Sequence, residues 1–240
     1  GPRFIWQPKK GWQDDMIPLL RYYGSVRSAD ECLDLPPQIY QREDFSLTPE
    51  QKRAIKALDD DPICTAPIVK WTKVHQICGG TIKQYDKSIQ YAKSEKTKRI
   101  LELAVEHNKL IVVCRYNAEL AMLSEALEKA GIETKVLNGA TKNRQELLDS
   151  FESKSHGVLL INAAVSEGYN LRGVNKMVFY SLSFSLKDRV QMEGRIHGGM
   201  RGIPGKSSIY IDLVVKDTID EDVHDCIQKK TDFQVELYTP

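Results

Sequence analysis

"KLIVVCRYNAELAMLSEALEKAGIETKVLNG", Lys109–Gly139, decides the fold class. It opens on a short, continuous apolar run, Leu110 to Cys114, the pattern of a strand buried on both faces. Leu120, Leu123, Leu127 and Ala130 then recur at helical spacing, and Gly131 supplies the C-terminal stop. "IETKVLNG" reads as a second strand. A strand, a helix and another strand joined by so little loop predict a parallel pair with the helix crossing over one face.

Downstream the alternation continues. "NRQELLDSF" reads as helix, "GVLLINA" and "KMVFYS" as strands, "LKDRVQMEGRIH" as helix, "SSIYIDLVV" as strand and "TIDEDVHDCIQKK" as a closing helix. That last helix opens on a capping box, Thr218-x-x-Glu221, and turns Ile219, Val223 and Ile227 inward. The expectation is an α/β fold, a parallel, doubly wound sheet flanked by helices.

Upstream the pattern changes. "LPPQIYQREDFSL" is extended and alternating after a Pro-Pro break. "TPEQKRAIKAL" is a helix with Thr48 as N-cap, Pro49 at the first position and Gln51 completing a capping box. "APIVKWTKVHQICGG" reads as helix, and "DKSIQYAKSEKTKRILELAVEHN" as a long helix entering the sheet. We expect an N-terminal, mainly helical annex over residues 1–85, the α/β lobe over 86–232 and a tail over 233–240. The leading Gly-Pro without Met reads as a protease-cleavage scar, so the chain is expected to be a piece of a longer protein.

Composition bounds the function. With 240 residues and 34 Lys and Arg against 33 Asp and Glu, net charge announces no polyanion partner, although a basic face can hide in a near-zero sum. The five cysteines form no C-x-x-C pair, which argues against a zinc site or a disulfide framework and for a reduced, intracellular setting. No apolar run approaches the roughly 20 residues needed to span a bilayer, so no membrane partner is expected.

Two phosphate-binding signals compete near residue 200. Gly205-Lys206-Ser207 ends like a P-loop, but position 200, where the leading glycine belongs, is Met200, and a strand follows instead of a helix. A turn with a solvated lysine is the better reading. Asp30-Glu31 and Asp220-Glu221 could supply an acidic pair for Mg²⁺, but neither ends a buried strand, and both read as solvated charge runs. The second signal is Gln191-x-x-Gly194-Arg195, which the helical reading places on one helix face. The exits of "IVVCRYNAE", "LNGAT" and "LLINAAVSEGYNL" lie with it on the carboxyl edge of a parallel sheet, where such folds bind ligands.

In this order the stretches resemble the C-terminal RecA-like lobe of superfamily-two helicases and translocases. "IVVCRYNAE" is similar to motif four of that family, "LLINAAVSEGYNL" to motif five and "QMEGRIHGGMR" to motif six. The helical segments before the lobe, and Gln191, Arg195 and His197 in motif six, resemble the SWI/SNF-like branch; the likeness runs from Pro18 to Lys230. The resemblance implies a parallel RecA-like sheet and the second motor lobe of an ATP-dependent DNA helicase or translocase. ATP and Mg²⁺ would be bound mainly by an N-terminal RecA-like lobe of the same polypeptide, and this chain would be inactive alone.

Carried over by motif, Arg195 would be the arginine finger, with Gln191, Gly168 and Asn170 facing the nucleotide. Arg115, Tyr116, Asn138, Gly139 and Asn162 would line the DNA track, for double- or single-stranded DNA. The family's second arginine falls at Gly198, so either Arg201 replaces it or Arg195 acts alone. His197 reads as a coupling residue or a polar helix end. Reduced motifs point to the cytoplasm of a bacterial or phage-infected cell. Lys93, Lys96, Lys98 and Arg99 read as a solvated face, the other histidines as surface or cap residues, and Trp6, Trp12 and Trp71 as annex packing. The alternatives are a DNA- or protein-binding module without catalysis, and a self-contained P-loop NTPase acting through Lys206.

Overall fold

The computed structural model describes residues 10–23, 35–62, 64, 66–83, 89–198 and 201–229. The chain divides into two compact units, residues 1–35 and 36–240. The first contains α1 (Trp12–Tyr23), with Pro18 in its interior. Trp12, expected to pack within the annex, is exposed, because α1 buries none of the residues whose burial is described. Trp6 and the Asp30-Glu31 pair lie outside the described residues.

The second unit runs β1 (Gln38–Phe45), α2 (Pro49–Ala57), α3 (Pro67–Cys78), β2 (Thr81–Lys83), β3 (Ile89–Tyr91), α4 (Glu95–Glu106), β4 (Lys109–Cys114), α5 (Asn117–Lys129), β5 (Thr134–Leu137), α6 (Arg144–Glu152), β6 (Gly157–Asn162), β7 (Lys176–Phe179), α7 (Leu186–Glu193), β8 (Ser208–Val215) and α8 (Ile219–Gln228). Six strands form one sheet in the order β1-β8-β7-β4-β6-β5, every neighbour parallel, as the apolar runs predict. Residues of opposite parity along β4 feed opposite cores. Ile111 and Val113 face the side of α6 and α8, with Leu148, Phe151, Val223 and Ile227. Leu110, Val112 and Cys114 face α4 and α5, with Ile100, Leu103, Leu123 and Leu127.

Several expectations change. Residues 36–83 belong to the same compact unit as the sheet, and no division falls at 85. The extended stretch becomes β1, which adds to the sheet edge by pairing with β8. The long helix from residue 86 is shorter at its start. Ile89–Tyr91 pairs antiparallel with Thr81–Lys83, and the helix begins only after Ser94, whose backbone is still extended. The capping box of α2 forms as read, Gln51 Oε1 accepting from the Thr48 N–H at 2.9 Å. That of α8 does not: Thr218 accepts from the Asp220 N–H, while Glu221 reaches one residue further out to the Asp217 N–H at 3.0 Å. No helix among the described residues is long and apolar enough to cross a membrane.

Candidate nucleotide and nucleic-acid site

The carboxyl edge of the sheet brings the end of β6 against α7. Asn162 Oδ1 accepts from the Ala164 N–H at 3.0 Å and starts a 3-10 turn, Ala163–Val165, which delivers Ser166. Ser166 Oγ donates to Gln191 Oε1 at 3.0 Å, tying the loop after β6 to α7. Gly168 takes φ +89° with open space where a side chain would stand, a left-handed conformation that glycine adopts without strain. Asn170 beside it is exposed. Tyr169 turns inward and donates its hydroxyl to the Val165 carbonyl at 2.7 Å.

Arg195 is not on the α-helix with Gln191. The helix ends at Glu193, and the chain tightens past Gly194, the Arg195 N–H donating to the Met192 carbonyl three residues back at 3.0 Å. From that turn Arg195 Nη1 donates to the Tyr169 carbonyl at 2.6 Å, with the guanidinium 5.5 Å from the Tyr169 ring centre. Its Nε is buried without a hydrogen-bond partner among the described residues. Arg201 is exposed, and its Nη1 donates to the Gly194 carbonyl at 2.7 Å, capping α7. Half-buried Arg195 thus keeps an unsatisfied donor, beside an open glycine and an exposed amide. Among the described residues no cluster of His, Cys, Asp or Glu could hold a metal ion. His197 is half-buried after the helix end.

The residues expected on the DNA track divide. Asn138 Oδ1 accepts from the Ala140 N–H at 3.0 Å, forming a tight turn after β5 with Gly139 exposed at its tip. Arg115 lays its guanidinium 4.3 Å from the centre of the Phe184 ring, and Nη1 donates to Ser183 Oγ at 3.2 Å. Tyr116 and Asn162 turn inward. The Tyr116 hydroxyl lies 2.9 Å from His75 Nδ1. Asn162 is buried, and its amide donates to the Arg115 carbonyl at 3.3 Å and to Asn117 Oδ1 at 3.0 Å. Neither of its two donor hydrogens is left for a phosphate.

Below this edge lies a buried charged cluster that looks solvated in sequence. Lys96 from α4 is fully buried, paired with Asp220 from α8 and donating to the Tyr180 carbonyl at 3.0 Å. Burial alone would raise the Asp220 carboxyl, but the Lys96 ammonium overrides it and holds it below the usual range. His75, read as a surface or cap residue, is fully buried, with Nε2 3.1 Å from Asp220 Oδ1. Burial pushes its imidazole down, towards the neutral form. Arg99 of the same run binds Glu43 of β1 at 2.7 Å, so only part of that face is solvated. Ser183, Phe184 and His75 escape a motif reading; Ser183 and Phe184 follow a strand end, while His75 lies inside α3 with no sequence signal for its role.

Gly205 has φ +73° in an open turn, Lys206 is exposed, and β8 begins at Ser208, so no helix N-terminus follows the Gly-Lys-Ser. Residues 92–198 match the family model of the helicase conserved C-terminal domain. Over 130 residues the chain is 30% identical to transcription termination factor 2 of Drosophila melanogaster, covering 52% of this chain and 12% of that protein. Over 136 residues it is 29% identical to the ATP-dependent helicase fft3 of Schizosaccharomyces pombe, covering 55% and 14%. The chain therefore spans a small part of the length of these relatives. The solved SWI2/SNF2 ATPase core of Sulfolobus solfataricus in complex with dsDNA has the same fold, with a TM-score of 0.60 at 18% identity over 90% of this chain and 50% of that one.

Proposed function

We propose that this chain, whose residues 92–198 match the family model of the helicase conserved C-terminal domain, is the second motor lobe of an ATP-dependent DNA helicase or translocase of the SWI/SNF-like branch. The observation that carries this reading is the joint between the loop after β6 and α7. There Ser166 binds Gln191 while the Tyr169 carbonyl holds Arg195 at the carboxyl edge. A first RecA-like lobe of the same polypeptide would supply the P-loop and the acids for Mg²⁺. The ATP it binds would supply the phosphoryl chemistry.

In this lobe Gly168, Asn170 and Gln191 face the nucleotide. Arg195 leaves the Tyr169 carbonyl to meet the charge that develops on the transferring phosphate. Arg201 caps the helix before it, which favours Arg195 acting alone. On the DNA side Arg115, Asn138 and Gly139 meet the backbone, while Asn162 sets the Arg115 turn through its carbonyl.

The test is ATP hydrolysis by a polypeptide joining this chain to its P-loop lobe, with DNA present. Arg195→Ala should lower kcat by about 10³-fold or more, the usual effect of losing such an arginine. Lys206→Ala should leave the rate unchanged. A retained rate in Arg195→Ala would favour a DNA- or protein-binding module. Hydrolysis by the 240 residues alone, lost in Lys206→Ala, would favour a self-contained NTPase.

A further inference from the structure

The turn after β4 is supported from beneath by a residue of α3. His75 packs edge-on against Tyr116, ring centres 5.5 Å apart, with Nδ1 2.9 Å from the hydroxyl. The same imidazole lies 5.1 Å from the Phe184 ring. Those two rings are the ones over which the Arg115 guanidinium rests, at 4.3 Å from Phe184 and 5.7 Å from Tyr116. Besides the rings, Arg115 Nη1 reaches Ser183 at 3.2 Å and the side chain meets the Tyr116 hydroxyl, while Nε is buried without a hydrogen-bond partner among the described residues. The direction of the cation is therefore set mainly by the rings beneath it.

We propose that His75 is a positioning residue for the DNA contact of Arg115, acting through Tyr116 and Phe184. The proposal rests on the reading of Arg115 as a backbone contact. Asp220, held by Lys96, places Oδ1 3.1 Å from Nε2, and although neither atom makes an aligned hydrogen bond among the described residues, the nearby carboxylate favours the imidazole proton on that nitrogen. Nδ1 is then a lone-pair acceptor for the Tyr116 hydroxyl, which fixes the tyrosine ring and with it one wall of the Arg115 seat. A cation already aimed at a phosphate loses less side-chain freedom on binding than one that must be ordered first.

A labelled duplex oligonucleotide titrated into the 240-residue chain at low salt gives the dissociation constant, and a thermal melt of each variant gives stability. Tyr116→Phe and His75→Phe should each weaken binding about threefold to tenfold, the range of one net hydrogen bond, and the double variant no further. His75→Asn places a carbonyl oxygen near the position of Nδ1. It should keep wild-type affinity even though losing the Asp220 contact lowers its melting temperature. Affinity that simply follows melting temperature, with His75→Asn as weak as His75→Phe, overturns the proposal, as does unchanged binding in both Phe variants. Arg115→Ala separates the two levels. Unchanged affinity there removes Arg115 from the track and the proposal with it. Weakened binding there, with unchanged Phe variants, overturns the role of His75 alone.

Discussion

Glu119, in the first turn of α5, is fully buried and accepts from the Tyr116 N–H at 3.1 Å and from Ser181. Its other oxygen has no hydrogen-bond partner among the described residues. Burial pushes this carboxyl from 4.5 up to about 7, against the pull of those hydrogen bonds. Between about pH 4.5 and 7 the folded protein therefore keeps a proton that the unfolded chain has released. Stability falls as pH rises through that window, by about 3 kcal/mol in all, and the loss is complete above pH 7. His75 acts in the opposite sense, since its lowered folded value makes stability fall as pH drops below 6.5. Denaturant midpoints at pH 5 and pH 8 should show Glu119→Gln lacking the wild-type loss; equal slopes in the two proteins would place the proton elsewhere. Gly79 answers to the same carboxylate. A Cβ there would stand 2.1 Å from Glu119 Oε1, so Gly79→Ala should cost about 1–3 kcal/mol in a melt. Replacing Glu119 by Ala in the same chain should relieve much of that.

At the scale of elements, α4 and α8 meet through one buried ion pair. Lys96→Met leaves Asp220 buried without its ammonium partner, and should cost about 3–5 kcal/mol in denaturant unfolding. Lys96→Met with Asp220→Asn should recover part of the loss. A loss near zero in the single variant would mean that water reaches Asp220. This pair was illegible in sequence because its partners are 124 residues apart, and each stands in a run of charged residues. The strands β4 and β6 were legible for the opposite reason: burial on both faces leaves a continuous apolar run, Leu110–Cys114 and Val158–Ile161. β1 hid its place in the sheet because it is an edge strand, whose Arg42 and Glu43 pair with Glu221 and Arg99 instead of with solvent.

Across the whole molecule, what could be read ahead of the structure was the order of strand ends along the carboxyl edge. Gly168, Gln191 and Arg195 do converge there, because the β6 loop and α7 meet at Ser166. The side-chain directions of Tyr116 and Asn162 could not be read, since they depend on His75 and Asn117, whose contacts arise from packing and not from spacing. The parallel edge has a further consequence for biosynthesis. Gln38 of β1 sits opposite Ser208 of β8, and every later pair keeps that offset of about 170 residues. A ribosome therefore releases the first strand of the sheet long before its partner exists, so β1 cannot join the sheet until β8 has been made, and loop closure over that length slows its docking. Until then the β8 side of the sheet has an open edge, and a nascent chain stalled before completion would offer it to other chains.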